Sequence, residues 1–107
     1  MPEPNKTRRQ KLEEFLAQNP KDAFSRYGIA LECVKEGDLV ATEAHFHTLI
    51  ESNPDYVLGY QMYAQTLVQN DRGEDAKAIL SQGIQAAIRQ GNQHVRSEME
   101  SLLMDLA

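Results

Sequence analysis

Two Asn-Pro dipeptides lie 34 residues apart in this chain, at Asn19-Pro20 and Asn53-Pro54. A fixed spacing of roughly 20 to 50 residues indicates supersecondary units that stack on one another. The residue before a proline is biased away from the helical conformation, so each dipeptide also marks the end of a helix. The spacing therefore predicts stacked helical hairpins, and it makes catalysis an improbable role for the chain.

The composition is that of a globular protein with an acidic surface. The 107 residues, of which 41% are hydrophobic and 25% charged, suffice for one domain. The net charge of −5 argues against binding to nucleic acids or anionic membranes, because both require a positive field. Basic residues concentrate only between Lys6 and Lys11, directly before Glu13 and Glu14. We interpret this segment as a solvated helix face, with a small anionic contact as the alternative.

Cysteine usage and the first residues indicate the cytoplasm. Cys33 is the single cysteine, so no disulfide can form within the chain, which fits a reducing compartment. We expect Cys33 to pack in the core, because acidic neighbours disfavour a reactive thiolate. The opening Met1-Pro2-Glu3-Pro4 lacks the apolar core of a signal peptide, and no apolar run reaches membrane-spanning length.

Helix start and stop signals divide the chain into six helices joined by short connections. Residues 1–6 are expected to be a disordered lead, and residues 7–107 a single domain. Ser, Thr, Asp or Asn caps a helix start, Glu or Gln three residues later completes a capping box, and glycine favours a helix stop. The signals are Thr7 with Gln10, Asp22, Gly37-Asp38, Asp71 with Glu74, and Gly91-Asn92.

Each predicted helix carries an apolar stripe with helical spacing. The stripes of the first three helices are Leu12, Phe15 and Leu16; Phe24, Tyr27, Ala30, Leu31 and Val34; and Leu39, Phe46, Leu49 and Ile50. Those of the last three are Val57, Tyr60, Tyr63, Ala64, Leu67 and Val68; Ala76, Ile79, Leu80, Gly83, Ile84, Ala87 and Ile88; and Val95, Met99, Leu102, Leu103 and Leu106. Short connections force neighbouring helices to pack antiparallel. The predicted fold is all-α.

The pattern of large and small residues resembles the tetratricopeptide repeat family. The second repeat carries it best, through Tyr60, Tyr63-Ala64 and Leu67 on one helix and Ala76, Leu80 and Gly83 on the next. In the first repeat, an ungapped register places Ile29-Ala30, Phe46 and Pro54 in the motif, but Arg26, Cys33 and Thr42 depart from it. A shifted register uses Phe24, Tyr27-Gly28 and Leu31 and needs two extra residues before the turn.

The resemblance implies a short right-handed α-solenoid of helix hairpins. It covers residues 23–90, with the first repeat at 23–56 and the second at 57–90. Residues 7–19 are expected to form an N-terminal helix similar to the second helix of a preceding unit. Residues 92–106 are expected to form a capping helix that shields the last repeat from water.

The first helix of each repeat lines a concave groove in this family, and the groove holds a partner peptide. Carried over in the ungapped register, the groove residues are Phe24, Tyr27, Leu31, Val34 and Lys35, followed by Leu58, Gln61, Gln65, Val68 and Gln69. Phe24, Leu31 and Val34 have a second interpretation as core residues packed on the N-terminal helix. If the groove is open, its apolar and amide side chains suit a neutral, partly hydrophobic peptide.

The other candidate sites lack the necessary groups. Family members that bind chaperones clamp a C-terminal carboxylate with Lys and Asn, but Tyr27, Leu31 and Met62 stand at those positions. His45 and His47 point to different helix faces, and His47 with Glu51 supplies too few ligands for a metal. We therefore predict no catalytic residue, no metal and no cofactor.

The predicted function is a non-enzymatic adaptor that binds a protein or peptide in the groove. Neither nucleic acid nor membrane is expected as a partner. The alternative is a structural or assembly subunit that buries the groove against a second copy, so the predicted state is a monomer or a homodimer.

Overall fold

The computed structural model of the chain describes residues 5–107. Within that range it consists of six α-helices without a strand, which confirms the predicted all-α fold. The helices are α1 (Arg8–Gln18), α2 (Ala23–Glu36), α3 (Leu39–Ser52), α4 (Val57–Gln69), α5 (Gly73–Gln90) and α6 (Gln93–Asp105). Residues 1–4 of the predicted lead lie outside the described residues.

The helices form two compact units, with α1 to α3 in the first, which ends at Ser52, and α4 to α6 in the second. Buried side chains of the first unit include Leu16 of α1 and Ile29 and Cys33 of α2, against which Leu12 and Ala41 pack. The predicted core position of Cys33 is confirmed, since its side chain is fully buried. Desolvation raises the pKa of its thiol, which disfavours the reactive thiolate.

Ion pairs occupy most of the basic segment at the start of α1. Arg9 Nη1 lies 2.7 Å from Glu36 Oε1, and Lys6 Nζ lies 2.7 Å from Glu14 Oε1. Arg8 Nε lies 3.1 Å from Glu32 Oε1. Among residues 5–107, Lys11 has no ion pair.

Close contact between α5 and its neighbours organises the second unit. Gly83 of α5 is buried, and a Cβ placed on it would lie 2.6 Å from Tyr60 Cβ and 2.7 Å from Met99 Sδ. Real Cβ atoms do not approach other atoms so closely, so only glycine permits α4 and α6 to lie where they do. Met99 is itself almost fully buried and fixes α6 against α5.

Four of the predicted helix caps are confirmed. Thr7 and Gln10 form a capping box, in which Gln10 N–H donates to Thr7 Oγ1 at 3.1 Å and Thr7 N–H donates to Gln10 Oε1 at 2.9 Å. The carboxylate of Asp22 accepts from the N–H of Ser25 at 2.9 Å. Asp38 and Asn92 accept in the same way at the starts of α3 and α6.

The predicted capping box of Asp71 and Glu74 is wrong. The residue that precedes α5 is Arg72, and its side chain makes no capping hydrogen bond. Asp71 instead adopts a left-handed conformation with φ of 58° and ends α4, because Arg72 N–H donates to Leu67 O at 2.8 Å. This geometry matches the ends of α2 and α5, where Gly37 and Gly91 are left-handed.

Three large side chains of the predicted stripes are exposed. Phe15 is 50% exposed and Phe24 is 69% exposed, and Ile88 near the end of α5 is also exposed. The core interpretation of Phe24 is therefore wrong. Helical spacing placed these residues on apolar stripes, but each lies at an edge of its stripe that no other described helix covers.

Candidate functional site

A depression on the second unit contains two of the predicted groove residues. It has a volume of about 380 Å³ and lies between α4 and α6. We call it the α4–α6 depression, and its main lining residues are Gln61, Gln65, Glu98, Ser101, Leu102 and Asp105. Gln61 and Gln65 lie one helical turn apart on α4, so their amides point into the same space.

A helix cap and two buried side chains position α6 beside α4. Asn92 Oδ1 accepts from Val95 N–H at 3.1 Å and fixes the start of α6. The buried side chains of Val95 and Met99 then hold the helix on α5. Because Glu98 and Asp105 lie seven residues apart, or about two turns, both carboxylates fall on the side of α6 that lines the depression.

The electrostatics of the α4–α6 depression are negative. Gln61 Nε2 donates to Glu98 Oε1 at 3.1 Å, which orients both side chains at its rim. His94 Nε2 lies 3.5 Å from the same carboxylate oxygen but is itself largely exposed. Its lining holds two carboxylates and no Lys or Arg. The arrangement can accept a basic side chain at Glu98 and Asp105, while the amides can bond to a peptide backbone.

The other predicted groove residues of the second unit lie elsewhere. Leu58 is exposed and lines a separate depression of about 400 Å³ with Val57, Gln90 and Asn92. Val68 is half-buried, and Gln69 is exposed at the end of α4. The structure thus brings Gln61 and Gln65 together and separates Leu58 from them.

In the first unit the predicted groove residues differ in exposure. Tyr27, Leu31 and Val34 of α2 are half-buried, whereas Phe24 at the start of the helix is exposed. Desolvation raises the pKa of the Tyr27 hydroxyl, so it stays protonated at neutral pH. Lys35 is exposed, and its Nζ lies 3.7 Å from Glu32 Oε2.

Sequence reasoning missed the contribution of α6 to the site. The helix was interpreted as a cap only, so Glu98, Ser101, Leu102 and Asp105 were not considered. The seven-residue spacing of Glu98 and Asp105, beside a stripe that includes Val95 and Met99, is the signal that would have identified its polar face.

The described residues hold no cluster of three His, Cys, Asp or Glu side chains that could bind a metal ion. His45 Nδ1 lies 3.4 Å from Arg26 Nη1, and His47 Nε2 lies 2.8 Å from Glu51 Oε1. The two histidines therefore have different neighbours. None of the helices in the described part of the chain is both long enough and apolar enough to span a membrane.

Comparison with known proteins identifies the family. A sequence model of the tetratricopeptide repeat matches residues 34–92, which is more than half of the chain. A tetratricopeptide repeat domain protein from Salinibacter ruber is 33% identical in its solution structure, with a TM-score of 0.76 over 81% of this chain and 88% of that one. The crystal structure of the tetratricopeptide repeat domain protein from the same organism gives 33% identity and a TM-score of 0.73, over 79% and 96% of the two chains.

A protein from Bordetella parapertussis shares the fold at 22% identity, with a TM-score of 0.79 over 95% of this chain and 89% of that one. No curated protein matches the chain. The predicted family is confirmed by the sequence model and by the Salinibacter structures: the chain belongs to the tetratricopeptide repeat family.

Proposed function

We propose that this protein is a non-enzymatic interaction module that captures a segment of a partner protein in the α4–α6 depression. Tetratricopeptide repeat proteins generally mediate protein–protein interactions and are typically not enzymes. The observation that carries the proposal is that two amides of α4 and two carboxylates of α6 line one open depression. We also propose a cytoplasmic location, because a single cysteine cannot form a disulfide within the chain and so fits a reducing compartment.

The chemistry of the lining defines the partner segment more closely than the sequence did. Glu98 and Asp105 favour a Lys or Arg side chain, and Leu102 offers an apolar contact beside them. An extended segment can also exchange backbone hydrogen bonds with the amides of Gln61 and Gln65. The proposed segment therefore carries a basic residue next to an apolar one, in place of the neutral, partly hydrophobic peptide expected from the groove residues of both repeats.

An affinity pull-down from native lysate tests the proposal. The bait is the whole chain, compared with the double variant Gln65→Ala/Glu98→Gln. The matched control is Gln85→Ala/Glu74→Gln, which removes an exposed amide and an exposed carboxylate from α5. A partner that belongs to the α4–α6 depression is retained by the wild type and by the control and is lost by the double variant. Equal retention of the partner by the wild type, the double variant and the control would contradict the assignment of binding to the α4–α6 depression.

Charge dependence provides the second test, once a partner is captured. The affinity for its isolated segment should fall as salt rises, because the pairs with Glu98 and Asp105 are partly exposed. Replacement of the basic residue of that segment by Gln should weaken binding to the wild type but leave binding to Glu98→Gln/Asp105→Asn nearly unchanged. Equal weakening with both proteins would exclude the proposed charge pairing.

A further inference from the structure

A second surface lies on the first unit, between α1 and α2. It is a depression of about 530 Å³ whose lining is largely apolar. We call it the α1–α2 patch and define it by Arg8, Lys11, Leu12, Phe15 and Phe24. Exposed large aromatic side chains at one place on a small protein mark an interaction surface more often than isolated ones do.

The 34-residue period shows which side of α1 is uncovered. Phe15 is equivalent to Leu49 of α3 and to Gly83 of α5. Leu49 is fully buried, and Gly83 faces Tyr60 of the preceding helix at very short distance. Phe15, in contrast, is 50% exposed. The equivalents of this residue therefore face a neighbouring helix, whereas Phe15 faces solvent.

Arg8 supports the same conclusion. Its equivalents are Thr42 of α3 and Ala76 of α5, which are both buried. The side chain of Arg8 is 67% exposed. No helix among residues 5–107 covers this side of α1 as α2 covers α3 and α4 covers α5. The side that in the later hairpins forms a helix–helix contact is thus uncovered on α1 in the described part of the chain.

The α1–α2 patch carries two cationic side chains, Arg8 and Lys11, and its lining also includes the carboxylate of Asp22. Lys11 has no ion pair in the described part of the chain, whereas Arg8 Nε lies 3.1 Å from Glu32 Oε1. The nearby carboxylate of Asp22 accepts hydrogen bonds from the backbone and the hydroxyl of Ser25, so it is directed towards α2. A second copy placed symmetrically on the patch would bring like charges together, whereas an acidic partner would neutralise them.

We propose that the α1–α2 patch binds an amphipathic helix of a partner protein, with large apolar side chains facing Phe15 and Phe24 and with Asp or Glu beside Lys11 and Arg8. The helical form follows from the equivalence with the later hairpins, and the acidic flanks follow from the unpaired Lys11 with Arg8 one turn before it. This site is separate from the α4–α6 depression, so the experiments below can contradict it without bearing on the proposed function.

Two designed peptides test the proposal by fluorescence anisotropy with the full chain. Both are helical and carry Leu and Phe along one face; the flanking residues are Glu in the first and Lys in the second. We expect the Glu peptide to bind and the Lys peptide to bind at least tenfold more weakly, with the difference shrinking at high salt. Equal affinity for both peptides, or no binding of the Glu peptide, would overturn the proposal.

Variants locate the binding on the surface. Lys11→Glu alters an exposed residue without disturbing packing. It should lower the affinity for the Glu peptide about fivefold to tenfold. Phe15→Ala/Phe24→Ala should abolish binding, with circular dichroism as the check on folding. Lys77→Glu and Val40→Ala, which alter a lysine on α5 and an exposed apolar residue on α3, should leave the affinity unchanged. Unchanged binding by Lys11→Glu would contradict the proposed charge contact.

Two other occupants are distinguished by the same variants. Sedimentation that reveals a dimer of the wild type but a monomer of Phe15→Ala/Phe24→Ala would assign the patch to a second copy and reject the proposal. Binding to phosphatidylserine vesicles that depends on Lys11, without binding of the Glu peptide, would assign it to a membrane surface and reject the proposal equally.

Discussion

At the scale of single residues, Gly83 determines how closely the helices of the second unit approach. The short distances from its position to Tyr60 and Met99 leave no space for a methyl group. The first contact is with Tyr60 Cβ, which is attached directly to the backbone and cannot rotate away. The glycine therefore serves packing, since its helical conformation requires no positive φ.

Gly83→Ala should lower the free energy of unfolding by about 1–3 kcal/mol, because overpacking outweighs the gain in helix propensity. Gly73→Ala is the matched control, since a Cβ there would lie 3.5 Å from Leu106 Cδ2, an ordinary contact. It should be neutral or stabilising by up to about 1 kcal/mol. Urea unfolding of both variants measures the difference. Equal effects of the two substitutions would contradict the packing role of Gly83.

His45 gives the fold a predictable response to pH. Burial and then the nearby Arg26 lower the pKa of His45. The folded state therefore favours the neutral imidazole, and its contribution to stability is complete above the unfolded pKa, about 6.5. That contribution is lost as the pH falls from there through the lower folded pKa.

Urea midpoints measured at pH 7.5 and pH 5 should differ less for His45→Gln than for the wild type, because Gln does not titrate there. His94→Gln, which removes an exposed histidine, is the matched control. An identical decrease for His45→Gln and the wild type would exclude the role of this residue.

At the scale of helices, three of them end in the same way with different residues. Gly37, Asp71 and Gly91 are left-handed, and in each case the next N–H bonds to the carbonyl five residues earlier. Glycine adopts this conformation without strain, whereas Asp71 pays a steric cost for its Cβ. The three helix ends have the same left-handed geometry, but only the end of α4 carries backbone strain.

Asp71→Gly should therefore raise the free energy of unfolding by about 0.5–1 kcal/mol, although its greater unfolded-state entropy offsets part of the gain. Gly91→Ala should lower it by about 1–2 kcal/mol, since the space around Gly91 is open and only the backbone is strained. Thermal unfolding of both variants checks the opposite signs. A loss of stability in Asp71→Gly would show that the Asp71 side chain makes a contribution larger than the strain.

The sequence predicted the helices well because local signals and periodicity agree there. The caps at Thr7, Asp22, Asp38 and Asn92 depend on neighbouring residues only. Asp71 was misinterpreted because the same residue type favours a helix start and tolerates a left-handed stop, and only the tertiary path of the chain decides between them.

At the scale of the whole molecule, periodicity identifies the side of a helix that tends to be buried but not what covers it. Phe15 and Phe24 follow helical spacing as faithfully as Leu16 and Ala30 do, yet they are exposed. Gln61 and Gln65 were predicted from the family pattern, whereas the carboxylates opposite them depend on where α6 packs. Contacts between helices that are not neighbours in sequence, such as α4 and α6, therefore cannot be predicted from local patterns.

The distribution of charge also bears on the solution state. The chain carries a net charge of −5, and the exposed large apolar residues other than Phe15 and Phe24 are scattered over several helices. Scattered residues supply little contiguous apolar area for a stable dimer, and like net charge opposes association at low salt. We therefore expect a monomer that leaves both the α4–α6 depression and the α1–α2 patch open to partners.

Light scattering after size exclusion, across a hundredfold range of concentration and at low and high salt, should give a constant mass near 12.1 kDa. High salt is the demanding condition, because it screens repulsion and strengthens apolar contact. A mass that doubles with concentration would instead support the self-associating subunit. If Gln65→Ala/Glu98→Gln then restored the monomer while Phe15→Ala/Phe24→Ala did not, the α4–α6 depression would be the surface between copies, and partner capture there would be excluded.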